Sequence, residues 1–433
     1  MANKRRTTLK RLRARIKRRL RAHLRKLGFL TMENGMLEPP SNHKDTFRLL
    51  HRSHRFERLR SERAFIKDKL PKLLNDFASG SDVIPARIQP RLQLVESGTR
   101  EADLFRLASL TWSVPVSQGY GRRMRFLVWD ESNHKLVGII ALGDPVFNLR
   151  VRDALIGWTA DQRRDRLVDV MDAYVVGAVP PYNMLLGGKL VASLIRTREV
   201  RDLFAKRYAE SRGIISGKKK HASLAVVTTS SALGRSSMYN RLQLGGIRYF
   251  DSIGYTSGWG HFHIPDDLFE EMRQYLKRKH HTYADNHQFG DGPNWRLRLV
   301  RVVLEEAGMN SDLLRHGIMR EVFICRLASN ADRVLMGEVD CAVYRNLLSV
   351  DQVGRLALER WIIPRSLRRP EFEFWKREQI PDLLRPVAVA RLSDVRPSRG
   401  PSDGTDGASS VLVEHVLRKN EPELLAKSTG RTL

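Results

Sequence analysis

The chain has 433 residues, of which 42% are hydrophobic and 8% aromatic, so a packed core is expected and wholesale disorder is excluded. Its net charge of +28 favours a polyanionic partner, most commonly nucleic acid. Two cysteines exclude a disulfide framework, and no apolar run has the length of a signal-peptide core or a membrane span. We therefore expect a reduced, cytoplasmic protein with no membrane contact.

The first 30 residues predict a strongly basic amphipathic helix that ends at Gly28. They carry thirteen Lys and Arg and no acid, and their apolar residues recur every three or four positions: Leu9, Leu12, Ile16, Leu20, Leu24 and Leu27. Such a helix can lie along phosphate backbone, dock its leucines on the protein body, or rest on a membrane surface. Because uncompensated cations repel one another, an anionic partner is favoured. The predicted nucleic-acid contacts, with DNA as the expected partner, are Lys4, Arg5, Arg6, Lys10, Arg11, Arg15, Arg18 and Arg19.

The rest of the chain divides by composition into four predicted regions. Residues 1–87 form a basic helical region that includes a further helix over about 44–80, and 88–290 alternate short strands with helices. Residues 291–390 are predicted as helical, and the Ser-, Gly-, Pro- and Asp-rich tail 391–433 as flexible. The predicted fold class is α+β: a mixed, largely antiparallel, GNAT-like sheet flanked by helices.

The stretch "YVVGAVPPYNMLLGGKLVASLI" predicts a strand, a turn and a helix, the order in which GNAT-type acyltransferases bind the pyrophosphate of acyl-coenzyme A. It fails as a Walker A loop because Gly188-Lys189 is followed by Leu190 instead of Ser or Thr. In this hypothesis the turn binds the coenzyme through Tyr182, Asn183, Gly187, Gly188 and Lys189, and Arg235 forms a second anion contact. The alternative is that the two glycines only allow close packing of the helix on the sheet.

Two residues are candidate catalytic groups of such an enzyme. Tyr239 follows a later strand in a short helix, where a tyrosine can protonate a leaving thiolate, and Asp153 is a candidate general base. A core-edge tyrosine and a surface ion pair are the structural alternatives. His261 and His263 share one face of a predicted strand, but they lack a third ligand, so no metal site is predicted.

Two separated segments resemble the DruA family of the Druantia anti-phage defence system. Arg152, Asp153, Ile156, Gly157 and Trp158 match its Arg-Asp-x-x-Ile-Gly-Trp pattern. Its Gly-x-Thr-x-Gly-x-Gly pattern is matched by Gly254, Thr256, Gly258 and Gly260. The resemblance implies a bacterial protein that acts against phage together with other defence proteins, and it assigns no catalytic residue. Three functions stay open: a nucleic-acid-binding defence protein whose core holds an anionic ligand, a GNAT-like acyltransferase, and a non-catalytic assembly subunit.

Overall fold

The structure is a computed structural model that describes residues 2–33, 36–41, 44–117, 119, 121–212, 219–261, 263–284 and 293–386. Within these ranges the side chains of 2–6, 211–212, 219–220 and 293–294 are not described. The predicted tail 391–433 lies outside the described residues. None of the helices in the described ranges combines the length and the apolar character needed to cross a bilayer.

The described residues form a central seven-stranded sheet surrounded by helices. In chain order the strands are β1 (Pro90–Leu94), β2 (Arg123–Asp130), β3 (Lys135–Gly143), β4 (Val170–Ala178), β5 (Val226–Ser230), β6 (Asp251–Tyr255) and β7 (Glu321–Arg326). The helices are α1 (Ala2–Lys26), α2 (Lys44–Ser61), α3 (Arg63–Leu73), α4 (Arg100–Leu110), α5 (Arg150–Ile156), α6 (Ala160–Arg166), α7 (Gly187–Ser193), α8 (Arg198–Tyr208), α9 (Ser237–Asn240), α10 (Asp266–Arg278), α11 (Pro293–Glu306), α12 (Ala331–Met336), α13 (Val350–Ala357), α14 (Ile363–Arg368) and α15 (Ile380–Leu383). Short strands pair outside the sheet at Leu30–Thr31 with Leu37–Glu38, Glu210–Arg212 with Lys219–His221, and Gln243–Leu244 with Ile247–Arg248.

The strand order is β6-β7-β5-β4-β3-β2-β1, and every neighbouring pair is antiparallel except β4 and β5. The predicted mixed, largely antiparallel α+β sheet is therefore confirmed. β2 and β3 form a hairpin, with Asp130 opposite Lys135 beside its turn. This topology alone does not establish that the sheet is GNAT-like, so the GNAT-like assignment stays a proposal.

Helices cover both faces of the sheet, so β2 and β3 are apolar on both sides. On one face α7, α8 and α13 pack on residues such as Phe126 and Ile140. On the other face α4 packs on residues such as Leu127 and Ile139, and α5 and α12 pack beside β5 and β7. Since successive strand residues point to opposite faces, this arrangement needs apolar residues at every position.

A second core lies beside the sheet and includes α1. The leucine face predicted for α1 is buried, with Ile16, Leu20 and Leu24 packed among apolar residues of α10 and α11. The helix ends at Lys26, and Gly28 adopts the left-handed conformation (φ 76°) that its prediction as the helix end requires. The basic helix is thus attached to the protein body through its apolar face.

One strand comes from the region 291–390 that was predicted as helical. β7 lies between β5 and β6 and pairs with both, so the sheet extends past the predicted boundary at residue 290. Its sequence "EVFICR" is a short, nearly continuous apolar run. Such a run has no alternation and cannot be distinguished from a buried helical segment by periodicity.

Candidate functional site

The inward side of α1 uses its arginines to bind the protein itself. Arg15 lies 2.5 Å from the Glu271 carboxylate, and Arg19 pairs with Asp267 and, at 2.8 Å, with Glu271. Both acids belong to α10. Two of the eight predicted nucleic-acid contacts, Arg15 and Arg19, are therefore engaged in fixing the helix to its neighbour.

The outward side of α1 carries a different set of basic residues. Lys10, Arg11, Arg18, Arg21 and Arg25 are exposed, and none forms an ion pair with any residue in the described part of the chain. Arg11, Arg18 and Arg25 are seven residues apart, which places them on one face at intervals of about 10 Å. The side chains of Lys4, Arg5 and Arg6 lie outside those described.

The predicted coenzyme turn is held by buried hydrogen bonds. The Tyr182 hydroxyl donates to Asp130 Oδ2 at 2.9 Å and accepts from Asn133 Nδ2 at 2.9 Å, and burial raises the pKa of Tyr182. A Cβ atom at Gly187 would lie 2.5 Å from the Tyr182 carbonyl oxygen, so this glycine allows the turn to pack on itself. Tyr182 and Gly187 thus have structural roles in this conformation.

The remaining residues of the turn make fewer polar contacts within the protein. Both amide atoms of Asn183 are buried, and neither has a hydrogen-bond partner among the described residues. Lys189 Nζ lies 5.1 Å from the centre of the Trp361 ring, and burial followed by the charge of Arg241 lowers the pKa of Lys189. Gly188 faces Met238 of α9, so the turn and the tyrosine helix are neighbours. Arg235 is exposed on the loop before α9.

Tyr239 lies where β4 and β5 diverge. The parallel pairing joins Val170–Asp172 to residues 226–228, and β4 then continues to Ala178 paired only with β3 in the described chain. The Tyr239 hydroxyl is hydrogen-bonded to Thr229, whose hydroxyl donates to the Ala173 carbonyl at 2.8 Å across this fork. Tyr239 is buried, and this burial raises its pKa to about 12.

Asp153 is placed away from Tyr239. Its carboxylate accepts from the Leu149 amide at 3.1 Å, from Arg152 at 2.6 Å and from Arg163 at 3.0 Å, which fixes the start of α5. Tyr239 packs 5.1 Å from Phe323, whereas α5 belongs to the cluster around Ile324. Consecutive strand residues face opposite sides of a sheet, so the two predicted catalytic residues lie on opposite faces. The structure does not bring them together.

A half-buried carboxylate that sequence reasoning missed is Asp172 on β4. It accepts a hydrogen bond from Thr228 Oγ1 at 2.8 Å, and burial raises its pKa to about 6, against the opposing effects of that bond and of Arg152. A pKa of about 6 suits a group that exchanges a proton near neutral pH. The signal in the sequence was a single acid within the apolar strand "VMDAYVV".

A second missed residue, Glu321 of β7, positions the tyrosine helix. Its carboxylate accepts from the Ser236 amide at 2.9 Å, from Asn240 Nδ2 at 3.0 Å and from the Ser252 hydroxyl at 2.8 Å. These bonds join α9, β6 and β7. Glu321 lies in the region predicted as helical, so no sequence pattern placed it beside Tyr239.

The two family-like segments of the sequence come together beside β6. A Cβ atom at Gly254, where φ is +117°, would lie 3.1 Å from the Val151 side chain of α5. Arg152 is fully buried and donates to the carbonyls of Val146 and Phe147 at 3.0 and 2.9 Å. Trp158 donates to the Leu335 carbonyl at 2.6 Å. In the first segment, therefore, Arg152 and Trp158 hold neighbouring loops and α12 in place.

Comparison with known proteins identifies relatives along most of the chain. The sequence model of the family described as Druantia protein DruA matches residues 41–337. A curated protein of Escherichia coli (strain UMEA 4076-1), Druantia protein DruA, is 54% identical over 374 residues, which cover 86% of this chain and 92% of that protein. No solved structure matches the chain. Residues 1–40, and with them α1, precede the range matched by the family model.

Proposed function

The chain belongs to the Druantia DruA family, and from this we propose that it acts in anti-phage defence as a protein that binds nucleic-acid backbone along the outward face of α1. The observation that carries the proposal is the division of charge on this helix. Its inward arginines have acidic partners, whereas Lys10, Arg11, Arg18, Arg21 and Arg25 face solvent. A docked helix presents these charges in a fixed row, which lowers the entropy lost when phosphates bind.

Fluorescence anisotropy with a labelled duplex DNA and an RNA of equal length tests this proposal. The triple variant Arg11→Gln, Arg18→Gln, Arg25→Gln should bind at least tenfold more weakly at 100 mM salt. The slope of log K against log salt should fall by about 2 to 3, since each phosphate contact contributes about 0.9.

The matched control removes three exposed arginines elsewhere: Arg248→Gln, Arg345→Gln and Arg368→Gln. Arg368 donates to the carbonyl four residues before it, as Arg25 does, so the two triple variants lose the same charge and similar local contacts. The proposal requires the control to bind within about threefold of the wild type. Equal binding by both variants, or no binding of DNA or RNA by the wild type at low salt, would refute it.

A second candidate function, a GNAT-like acyltransferase, is favoured by the fork between β4 and β5. The predicted coenzyme turn follows the carboxyl end of β4, and the Tyr239 hydroxyl lies at the fork beside Thr229. Acyl-coenzyme A would bind there with its phosphates toward Asn183 and Lys189. In this proposal no side chain is assigned as the base, because Asp172, which is hydrogen-bonded to Thr228 and interacts with Arg152, lies like Asp153 on the other face of the sheet from Tyr239.

Titration calorimetry with acetyl-coenzyme A tests the second candidate. Binding that weakens at least tenfold in Lys189→Gln, with acyl transfer lost in Tyr239→Phe, would support it. Arg248→Gln is the control for the loss of one positive charge. Absence of binding at millimolar coenzyme would eliminate this function and leave the nucleic-acid proposal unaffected. Association with other defence proteins stays a proposal that follows from the family alone.

A further inference from the structure

A cleft of about 440 Å³ lies on the face of the sheet that α4 covers, and five of its nineteen lining residues are arginines. Its walls come from α2, α4, the loop after α4, the start of β2, and β4. Among the site residues predicted from the sequence, none whose side chain is described lines it. Its volume falls in the usual range of small-molecule sites, about 300 to 1,000 Å³.

The lining has more positive than negative charge. Five arginines and two acids line the cleft, and both acids are already paired. Glu62 is shared by Arg58, at 2.9 Å, and Arg106, while Asp103 is paired with Lys69 at 2.9 Å. Arg55 donates to the carbonyls of Trp112, at 2.8 Å, and Leu383. An anion entering the cleft would therefore meet a positive potential that these carboxylates do not cancel.

Two arginines at the start of β2 are best placed to bind such an anion. Arg123 is exposed, and its side chain has no hydrogen bond or ion pair within the described ranges. Arg125 donates to the Ser97 hydroxyl at 3.3 Å and lies 5.8 Å from the centre of the Phe105 ring. The planar fork of a guanidinium group matches two oxygens of a phosphate, which a lysine cannot do.

Tyr174 lies within reach of both charges. Burial raises its pKa, while the charges of Arg125 and then Arg123 act in the opposite direction. The phenol is therefore protonated at neutral pH and can donate a hydrogen bond to a phosphoryl oxygen. It stands on β4, two residues after Asp172.

The floor of the cleft is apolar. Leu59, Leu110 and Trp112 contribute it, and all three are largely buried in the protein. Inorganic phosphate would leave this floor in contact with water. A ligand that joins a phosphate to a flat, weakly polar group would contact both parts of the site.

From the cavity, the unmatched arginines and this floor, we infer that the cleft binds a nucleotide through its phosphate, with the base on the apolar floor. The same chemistry is present in a free nucleotide and in the phosphorylated end of a nucleic-acid strand. This inference does not depend on α1, because none of the α1 side chains that the structure describes lines the cleft.

Titration calorimetry of the full-length chain tests it with AMP, CMP, adenosine and inorganic phosphate. AMP or CMP should bind at least tenfold more tightly than adenosine and than inorganic phosphate. Arg123→Gln should weaken nucleotide binding by tenfold or more, because a charge-assisted bond is lost. Tyr174→Phe, which keeps the ring, should weaken it by about three- to tenfold. Arg248→Gln is the matched control and should bind as the wild type does.

Thermal melting identifies any variant that fails to fold, and Arg123 is chosen because its side chain has no described partner to lose. A 5′-phosphorylated tetranucleotide and its dephosphorylated form distinguish the two sources of the ligand. Stronger binding of the phosphorylated strand than of AMP assigns the site to strand ends, and binding of AMP alone assigns it to free nucleotides.

Three outcomes would overturn the inference: no phosphate-bearing probe binds, succinate binds as well as AMP, or Arg123→Gln binds nucleotide as the wild type does. The α1 triple variant should leave AMP binding unchanged, so failure of this inference and failure of the α1 proposal are distinguishable.

Discussion

The outward face of α1 and the arginine cleft carry the same charge on surfaces of opposite shape. On α1, arginines seven residues apart stand on a convex helix, with leucines buried beneath them. In the cleft, arginines from different elements converge above an apolar floor. A convex row fits an extended polymer of any sequence, whereas a concave cluster fits one group of defined size. The same residue type can thus serve general attraction in one place and selective binding in another.

The largest difference expected between the two regions is in how the stability of each depends on pH. His51, His263 and His316 are buried near the core that holds α1, whereas no histidine lines the described part of the cleft. Burial lowers the pKa of His51 and His263 to about 3 and that of His316 to about 2, with neighbouring positive or histidine side chains adding to the effect. The unfolded chain takes up these protons near pH 6.5 and the folded chain does not. Stability is therefore complete above pH 6.5 and declines below it, by about 2 kcal/mol per histidine at pH 5.

Urea unfolding at pH 7.5 and pH 5 measures this loss. His221→Gln, at an exposed position, should leave the pH dependence unchanged. An unfolding free energy that is the same at both pH values would show that the buried histidines are protonated in the folded protein.

The attachment of α1 can be broken through its apolar face. Leu20 is 1% exposed, and Leu20→Ala should lower the free energy of unfolding by about 2 to 5 kcal/mol through lost burial and the cavity left behind. Leu12→Ala, at a half-buried position, should cost much less. Equal effects in chemical denaturation would mean that α1 is not docked in solution as described.

Salt separates the two modes of binding. Between 50 and 200 mM salt, the affinity for duplex DNA should fall by about 10² to 10³ if α1 meets five phosphates, since the slope is about 0.9 per contact. AMP binding in the cleft involves one phosphate and should fall only a few-fold. Anisotropy and calorimetry over the same salt range provide the comparison, and parallel slopes would mean that both ligands use one surface.

The smallest effect is expected for the inward arginines. Arg15→Gln removes a partly exposed ion pair with Glu271, so the free energy of unfolding should change by about 1 kcal/mol or less. DNA affinity should stay within about threefold of the wild type, while Arg18→Gln, on the outward face, should show the larger loss. A greater loss of DNA binding in Arg15→Gln would reverse the assignment of the two sides of the helix.

Local sequence patterns predicted much of this fold. Leucines at helical spacing identified the buried face of α1, and Gly28 identified its end. The run "EVFICR" could not be assigned in the same way, because its place between β5 and β6 depends on pairing with strands about 65 to 100 residues earlier. Periodicity reports the local environment of a residue and contains no information about distant partners.

The candidate sites were harder to predict for the same reason. The acidic partners of Arg15 and Arg19 are about 250 residues away, so the sequence did not distinguish the inward from the outward arginines of α1. The cleft brings together Arg55, Arg123 and Tyr174 from three elements, and no short motif records that combination. Tyr182 and Asp153 were selected as single residues in suitable contexts, and both are held in structural hydrogen-bond networks.

The docking of α1 on α10 has a consequence for synthesis of the chain on the ribosome. About 240 residues separate the two helices, which corresponds to roughly 12 to 50 s of translation. During that interval the leucines of the emerging helix have no native surface to cover them. The nascent chain therefore presents its strongly basic first helix long before the surface that holds it has been made.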